Sequence, residues 1–208
     1  LGAAVASLDT SAWPEAPMLL PFLSQAERAQ ASEILSPDEH DHFVRRRLFQ
    51  RLFTKHSLGL SESVCEVPLL HERDKRPRCP LAPDCWLSFS AAGRYAIAAA
   101  SRHSTIGVDI ERLRPIPDAL GLANRCFGRN ETARLESMPA LEQSEMFIRL
   151  WSAKEASLKA LGTGVVNGLD SFSFSMQGKD LSLDRPATEP ARPVWHVEAL
   201  ADPAGYVA

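Results

Sequence analysis

The chain has 208 residues, 45% hydrophobic and 24% charged, the make-up of an ordinary globular protein, which excludes a disordered, collagen-like or coiled-coil chain. Its 26 acidic and 23 basic residues leave a net charge of −3, so the broad cationic face that sequence-independent nucleic-acid binding requires is not expected. No apolar run approaches the roughly 18 residues of a spanning helix, and the opening LGAAVASLDTSAWP, with no cationic start and broken by Asp9 and Pro14, does not read as a signal peptide.

The length suits one large domain or two small lobes. Cys65, Cys79, Cys85 and Cys126 have the spacing of neither a zinc ribbon nor a redox pair, which points to a thiol-reducing cytoplasm. His40 and His42 lie two apart in what reads as a helix, where their side chains diverge, so they are not expected to share a metal.

In chain order, Ser36, Pro37, Asp38 and Glu39 form a capping-box start with Pro at the first helical position, predicting a helix over 37–57. Its apolar ridge is Val44, Leu48 and Leu52, widened by Phe49 and Phe53; Arg47, Arg51 and Lys55 recur every fourth residue beside it. Such a basic stripe is either a solvated face or an anion-binding one. Residues 59–84, with the charge run His71 to Arg78, read as an irregular connection, and the period then shortens to two. Strands are predicted at Leu87–Ser90, Tyr95–Ala100 and Ile106–Glu111, with a turn at Gly93. Asp118 is placed to cap a helix ending near Gly128, and Asn130 a second short one. A long helix follows over 140–161, burying Phe147, Leu150, Trp151, Leu158 and Leu161 and stopping at Gly162. Phe172–Ser175, Leu181–Leu183 and Val194–Leu200 read as strands, and the closing GYVA as the beginning of one. Helix and strand mix without βαβ alternation, so the fold class is α+β.

The most informative stretch is Gly107-Val108-Asp109-Ile110-Glu111. Read as a strand, it turns Ile106, Val108 and Ile110 to the core and sets Asp109 and Glu111 on one face, about 7 Å apart at the backbone. A third acid, Glu155, sits four residues before Lys159 on the long helix, sharing a face with it and close to that of Trp151. If helix and strand cross, three carboxylates and an ammonium converge. Oxygen donors without His or Cys select a hard cation, Mg²⁺ or Mn²⁺, which completes its shell with water and substrate phosphates. No Walker A loop is present, so the residues point to phosphoryl transfer or phosphate-ester hydrolysis on something other than an ordinary nucleotide triphosphate.

GVDIE at 107–111 followed by FIRLWSAKEASLKALGTG at 147–164 resembles the 4′-phosphopantetheinyl transferase superfamily, of the pseudodimeric, surfactin-synthetase-activator type. The resemblance runs from about Leu87 to Phe174 and, more weakly, over 37–57. It implies two similar α+β lobes, here 1–104 and 105–208, with the active site in the cleft between them. It also implies a cytoplasmic monomer of holo-[acyl-carrier-protein] synthase type. Such an enzyme moves the phosphopantetheine arm of coenzyme A to a serine of an acyl or peptidyl carrier protein and releases adenosine 3′,5′-bisphosphate, with Mg²⁺ or Mn²⁺. By this resemblance Asp109, Glu111 and Glu155 are the metal-binding acids, Glu155 and Lys159 are catalytic, and Arg47, Arg51, Arg76, Pro77, Ser90 and Lys159 contact coenzyme A. The base for the carrier serine would be Glu155 or Glu131.

Two positions depart from the pattern. Ala91 stands where relatives carry a histidine that contacts a coenzyme A phosphate, a task that would pass to Arg47, Arg94 or Arg76, and Lys75 replaces the glycine of the usual GKP. Arg125, Arg129 and Arg134 beside Phe127 read either as a docking surface for an acidic carrier or as a solvated face over a core phenylalanine. The competing functional readings are a metal-dependent phosphohydrolase on a small ester and a non-catalytic coenzyme A-binding relative.

Overall fold

The computed structural model describes residues 2–71, 75–162, 168–186, 196–200 and 203–208. It divides into two compact units, Leu1–Val108 and Asp109–Ala208.

In the first unit, β1 (Ala3–Asp9) precedes two short helices, α1 (Ala16–Leu19) and α2 (Gln25–Ser32), then the long α3 (Pro37–Leu58) and the hairpin β2 (Trp86–Ala92) and β3 (Tyr95–Ser101). The sheet is antiparallel in the order β1-β3-β2, with Ala3 and Trp86 both opposite Ser101. α3 begins where its sequence signals it: the Ser36 hydroxyl accepts from the Glu39 amide, and Gly59, at φ 66°, ends the helix in the left-handed conformation that costs glycine least. Phe49 and Phe53 of α3 pack on Leu87, Ala96, Ala98 and Ala100; the alanines leave room for the helix to lie close. α1 and α2 close a second cluster, in which Leu19, Leu23 and Ala31 meet Val44 and Leu48.

In the second unit, β4 (Glu111–Arg112) pairs with β7 (Tyr206–Val207), and β5 (Phe172–Gln177) with β6 (Asp180–Pro186). Between them lie α4 (Ala119–Cys126), α5 (Arg129–Glu136) and α6 (Ala140–Leu161). Phe147, Leu150 and Leu158 of α6 pack with Phe127, Leu135, Phe172 and Phe174. Mixed helices and small sheets agree with the α+β expectation. No described helix is long and apolar enough to cross a membrane.

The structure corrects several local expectations. Among the described residues Ile106–Ile110 joins no ladder, and Glu111 and Arg112 pair with Val207 and Tyr206. Asn130 caps nothing: Gly128 is the N-cap of α5, and the Glu131 carboxylate takes the Gly128 amide at 2.8 Å. Trp151 and Leu161 are half-buried rather than buried. In the predicted strand Val194–Leu200, residues 196–200 form no strand, and Val194 and Trp195 lie outside the described residues, as do 72–74 of the charge run and Thr163 and Gly164. β1, α1 and α2 were not expected at all. The signal for α2 was present in Ser24 and Glu27, which form a complete capping box.

Candidate functional site

The acidic motif lies at the start of the second unit. Glu111 is fixed by its pairing with Val207, Leu113 donates to the Gly205 carbonyl at 2.8 Å, and α6 packs against β4. The last turns of α6, ended by Gly162 at φ 73°, therefore carry Glu155 and Lys159 to the Asp109–Glu111 segment. Lys159 Nζ donates to Asp109 Oδ1 at 2.6 Å across fifty positions of sequence; Asp109 is almost fully buried and Lys159 is 30% exposed. Asp109 is also held from the side of the chain preceding it, since the Val108 amide donates to the Ser88 hydroxyl of β2 at 3.0 Å. Nothing in the sequence pattern distinguished Ser88 from Ser90, and only the pairing of β2 reveals which serine anchors the motif.

The electrostatics bind the three acids together. Burial pushes the Glu111 carboxyl above its usual range and the Asp109 charge adds to the rise, against Arg114 and Lys159. Burial likewise raises Glu155, opposed by Lys159 and reinforced by Asp109. Asp109 is thus the common neighbour of both glutamates, and Lys159 the cation that relieves all three. A hard divalent cation suits this all-oxygen, mutually repelling donor set. As placed, the side chains do not close round a point: among the described residues no three His, Cys, Asp or Glu groups are near enough to hold an ion. The donor chemistry fits a divalent ion, while the arrangement at hand is the one stabilised by Lys159.

Other expected site residues belong to the first unit. Arg47 lies over the Phe43 ring at 5.3 Å and donates to Gln50, and burial with repulsion from Arg46 and Arg51 lowers its pKa. Arg76 stacks on the Trp86 ring at 3.6 Å, with Pro77 next in sequence. Ser90 is half-buried on β2 opposite Ile97. Arg94 pairs with Asp9 at 3.2 Å.

Arg51 does not fit the role expected of it. It is 3% exposed, with its Nε 2.5 Å from Glu27 and its Nη1 donating to the carbonyls of Val64, Cys65 and Val67. Lys55 donates to the Leu60 and Glu62 carbonyls. The basic stripe of α3 is therefore neither a solvated face nor a continuous anion site: two of its three cations tie down the chain that follows the helix.

Glu131 is also excluded as a base. It is 1% exposed, 2.8 Å from the equally buried Lys154, and it accepts the amides of Gly128 and Phe174. Lys154 donates in addition to the Leu169 and Phe172 carbonyls and lies near the Phe127 and Phe174 rings. Neither has a free face for substrate. Phe127 is buried and stacked on Phe147 at 5.0 Å, so it is core and not a docking anchor; the exposed apolar side chain near Arg125 is Leu122.

The family model of the 4′-phosphopantetheinyl transferase superfamily matches residues 105–207, essentially the second unit. A Synechocystis relative is 31% identical over 156 residues, 72% of this chain and 61% of its own length. The chain is also similar to the 4′-phosphopantetheinyl transferase ffp of Bacillus subtilis, 41% over 101 residues, 49% of this chain and 44% of ffp. It thus spans less than two thirds of either protein. Against the 4′-phosphopantetheinyl transferase Sfp of Bacillus subtilis the identity is 37% over 175 residues, covering 79% of this chain and 77% of Sfp. On that extent of shared sequence, the chain belongs to the 4′-phosphopantetheinyl transferase superfamily.

Proposed function

We propose that the chain transfers the phosphopantetheine arm of coenzyme A to a serine of an acyl or peptidyl carrier protein, as a holo-[acyl-carrier-protein] synthase-type enzyme. The observation that carries this reading is the Asp109–Lys159 contact flanked by two glutamates of raised pKa. Asp109, Glu111 and Glu155 would hold Mg²⁺ or Mn²⁺, which when bound neutralises charge on the diphosphate of coenzyme A. Lys159, partly exposed at the end of α6, donates to the bridging oxygen that leaves with adenosine 3′,5′-bisphosphate. The carrier serine oxygen forms the new bond to phosphorus, the bond to the departing phosphate breaks, and Glu155 takes the hydroxyl proton. General-base help of this kind is worth about 10²–10⁴ in rate. Arg47, Arg76, Pro77 and Ser90 contribute to coenzyme A binding, and Arg51 acts only by holding α3 to the segment after it. Arg125 and Arg129, with Leu122, form the surface that steers an acidic carrier. The protein acts as a cytoplasmic monomer without nucleic acid, in keeping with its net charge of −3 and with cysteines spaced as neither a zinc ribbon nor a redox pair.

Mass spectrometry of an apo carrier incubated with the protein, coenzyme A and Mg²⁺ tests this. The expected result is one phosphopantetheine added per carrier, abolished by chelator. Phosphate or nucleotide release without a carrier would replace the reading by hydrolysis, and coenzyme A binding with an unmodified carrier by a non-catalytic role.

A further inference from the structure

The sheet of the first unit has two unlike faces. Leu87, Phe89, Ala96, Ala98 and Ala100 belong to the cluster beneath α3, so alternation along the strands puts Ser88, Ser90, Ile97 and Ala99 on the other face. That face is covered too, because Ser88, Ile97 and Ala99 are 2%, 1% and 0% exposed. A hydroxyl sunk in such a place needs a partner, and the Val108 amide supplies it at 3.0 Å.

The need is mutual. Val108 is buried and belongs to Ile106–Ile110, which joins no ladder among the described residues, and a buried amide outside a ladder must find an acceptor elsewhere. Ala99, opposite Ser88, offers a methyl group and no acceptor. Ser88 therefore does for the entry to the acidic motif what β7 does for its end, where Glu111 pairs with Val207. Asp109 lies between these two anchors. Its carboxylate, 5% exposed, must leave the backbone in the direction that brings Oδ1 to Lys159 Nζ at 2.6 Å, and the hold on Val108 fixes the chain immediately before that point.

We propose that Ser88 is a positioning residue for arm transfer: by holding the Val108 amide, its hydroxyl sets how Asp109 presents its carboxylate to Lys159 and to a divalent cation. Resting on the transferase reading, this role separates Ser88 from Ser90 on the same face of β2, since Ser90 serves coenzyme A and Ser88 serves the metal-binding acid. Groups that orient a metal ligand without touching the metal are worth about tenfold to hundredfold in metal affinity or activity.

Amide exchange and Mn²⁺ binding by the full chain test the role. In the wild type the Val108 amide should exchange with deuterium as slowly as the ladder amides of β3; rapid exchange would overturn the proposal without any variant. Mn²⁺ binding in the presence of coenzyme A, read from the spin-resonance signal of the free ion, should weaken about tenfold to hundredfold in Ser88→Ala, and kcat for carrier modification should fall on the same scale. Affinity for coenzyme A without metal should not change. Ser88→Thr, which keeps the hydroxyl and suits a strand, should restore Mn²⁺ binding. Ser88→Cys, close in size but a weak acceptor, should behave as the alanine variant does and replaces it if that variant does not fold; melting curves establish which variants are folded. A folded Ser88→Ala or Ser88→Cys that binds Mn²⁺ as the wild type does would reduce Ser88 to a structural hydrogen bond and leave the transferase reading intact. A wild type that binds no Mn²⁺ and modifies no carrier, with Val108 still protected, would instead remove the transferase reading and the role that rests on it.

Discussion

Lys154 and Glu131 meet 2.8 Å apart with 0% and 1% of their side chains exposed, and together they join α5, α6, the 3-10 turn Leu169–Ser171 and β5. A charge in that position is tolerable only because every donor and acceptor is used. Removing one partner strands the other, at a cost of about 3–5 kcal/mol, whereas removing both is far cheaper. Lys154→Met is therefore expected to lose several kcal/mol in urea unfolding, and Glu131→Gln a comparable amount. The double variant should be markedly more stable than the sum of the two losses predicts; additive losses would show that the pair is not coupled.

Arg51 and Glu27 make the same kind of contact in the first unit. Arg51→Met should cost about 3–5 kcal/mol by leaving Glu27 buried and unpaired. In the fraction that remains folded, the KM for coenzyme A should stay within about twofold of wild type. A large rise in KM with unchanged stability would restore Arg51 to the ligand site.

These two pairs mark the limit of what the chain discloses before it is folded. α3 and α6 were legible to within a residue, because a proline-capped start, a left-handed glycine stop and a continuous apolar stripe all act over short spans. The spacing Glu-x₃-Lys puts Glu155 and Lys159 on one helix face, and Lys159 reaches Asp109 at 2.6 Å. What failed was the burial of single charges. Arg51 and Lys55 have the same spacing as Arg47, and nothing in that spacing says that two of the three will find carbonyls. Lys154 stands beside Glu155 in the same motif, yet it points into the core because helix period places it with Leu150 and Leu158. The strand over Ile106–Ile110 failed because alternation describes a side-chain pattern, not the presence of a neighbouring strand.

His71 provides a pH signature. Its folded pKa, about 4, lies below the ordinary 6.5, so the unfolded chain binds the proton more readily. Stability is then fully present above about 6.5 and declines as pH falls towards 4, the direction required when the unfolded state carries more protons. His71→Gln should flatten the dependence of unfolding free energy on pH within that window and leave it unchanged above. An unaltered slope would show that His71 titrates normally.

The carrier-docking surface can be separated from the core beneath it. Phe127 stacks on Phe147, so Phe127→Ala should lose about 3–5 kcal/mol of stability. Leu122, 37% exposed, and Arg125, 71% exposed, face outward. Charge reversal at Arg125 and Arg129, or Leu122→Ala, should raise the carrier KM severalfold without shifting the melting temperature or the coenzyme A KM. An unchanged carrier KM would remove this face from the docking surface.

Asp109 is where function and stability pull in opposite directions. Its charge raises the pKa of both Glu111 and Glu155, while its contact with Lys159 offsets part of that repulsion. Asp109→Asn keeps the shape and relieves both glutamates, and Lys159 is already partly exposed. The variant should therefore fold and melt as cooperatively as wild type while arm transfer falls by at least about 10²-fold, the scale of losing one preorganised charge in a phosphoryl-transfer site. Transfer at the wild-type rate by Asp109→Asn would show that the reaction does not pass through this carboxylate, and with it the assignment of Glu111 and Glu155 would have no support.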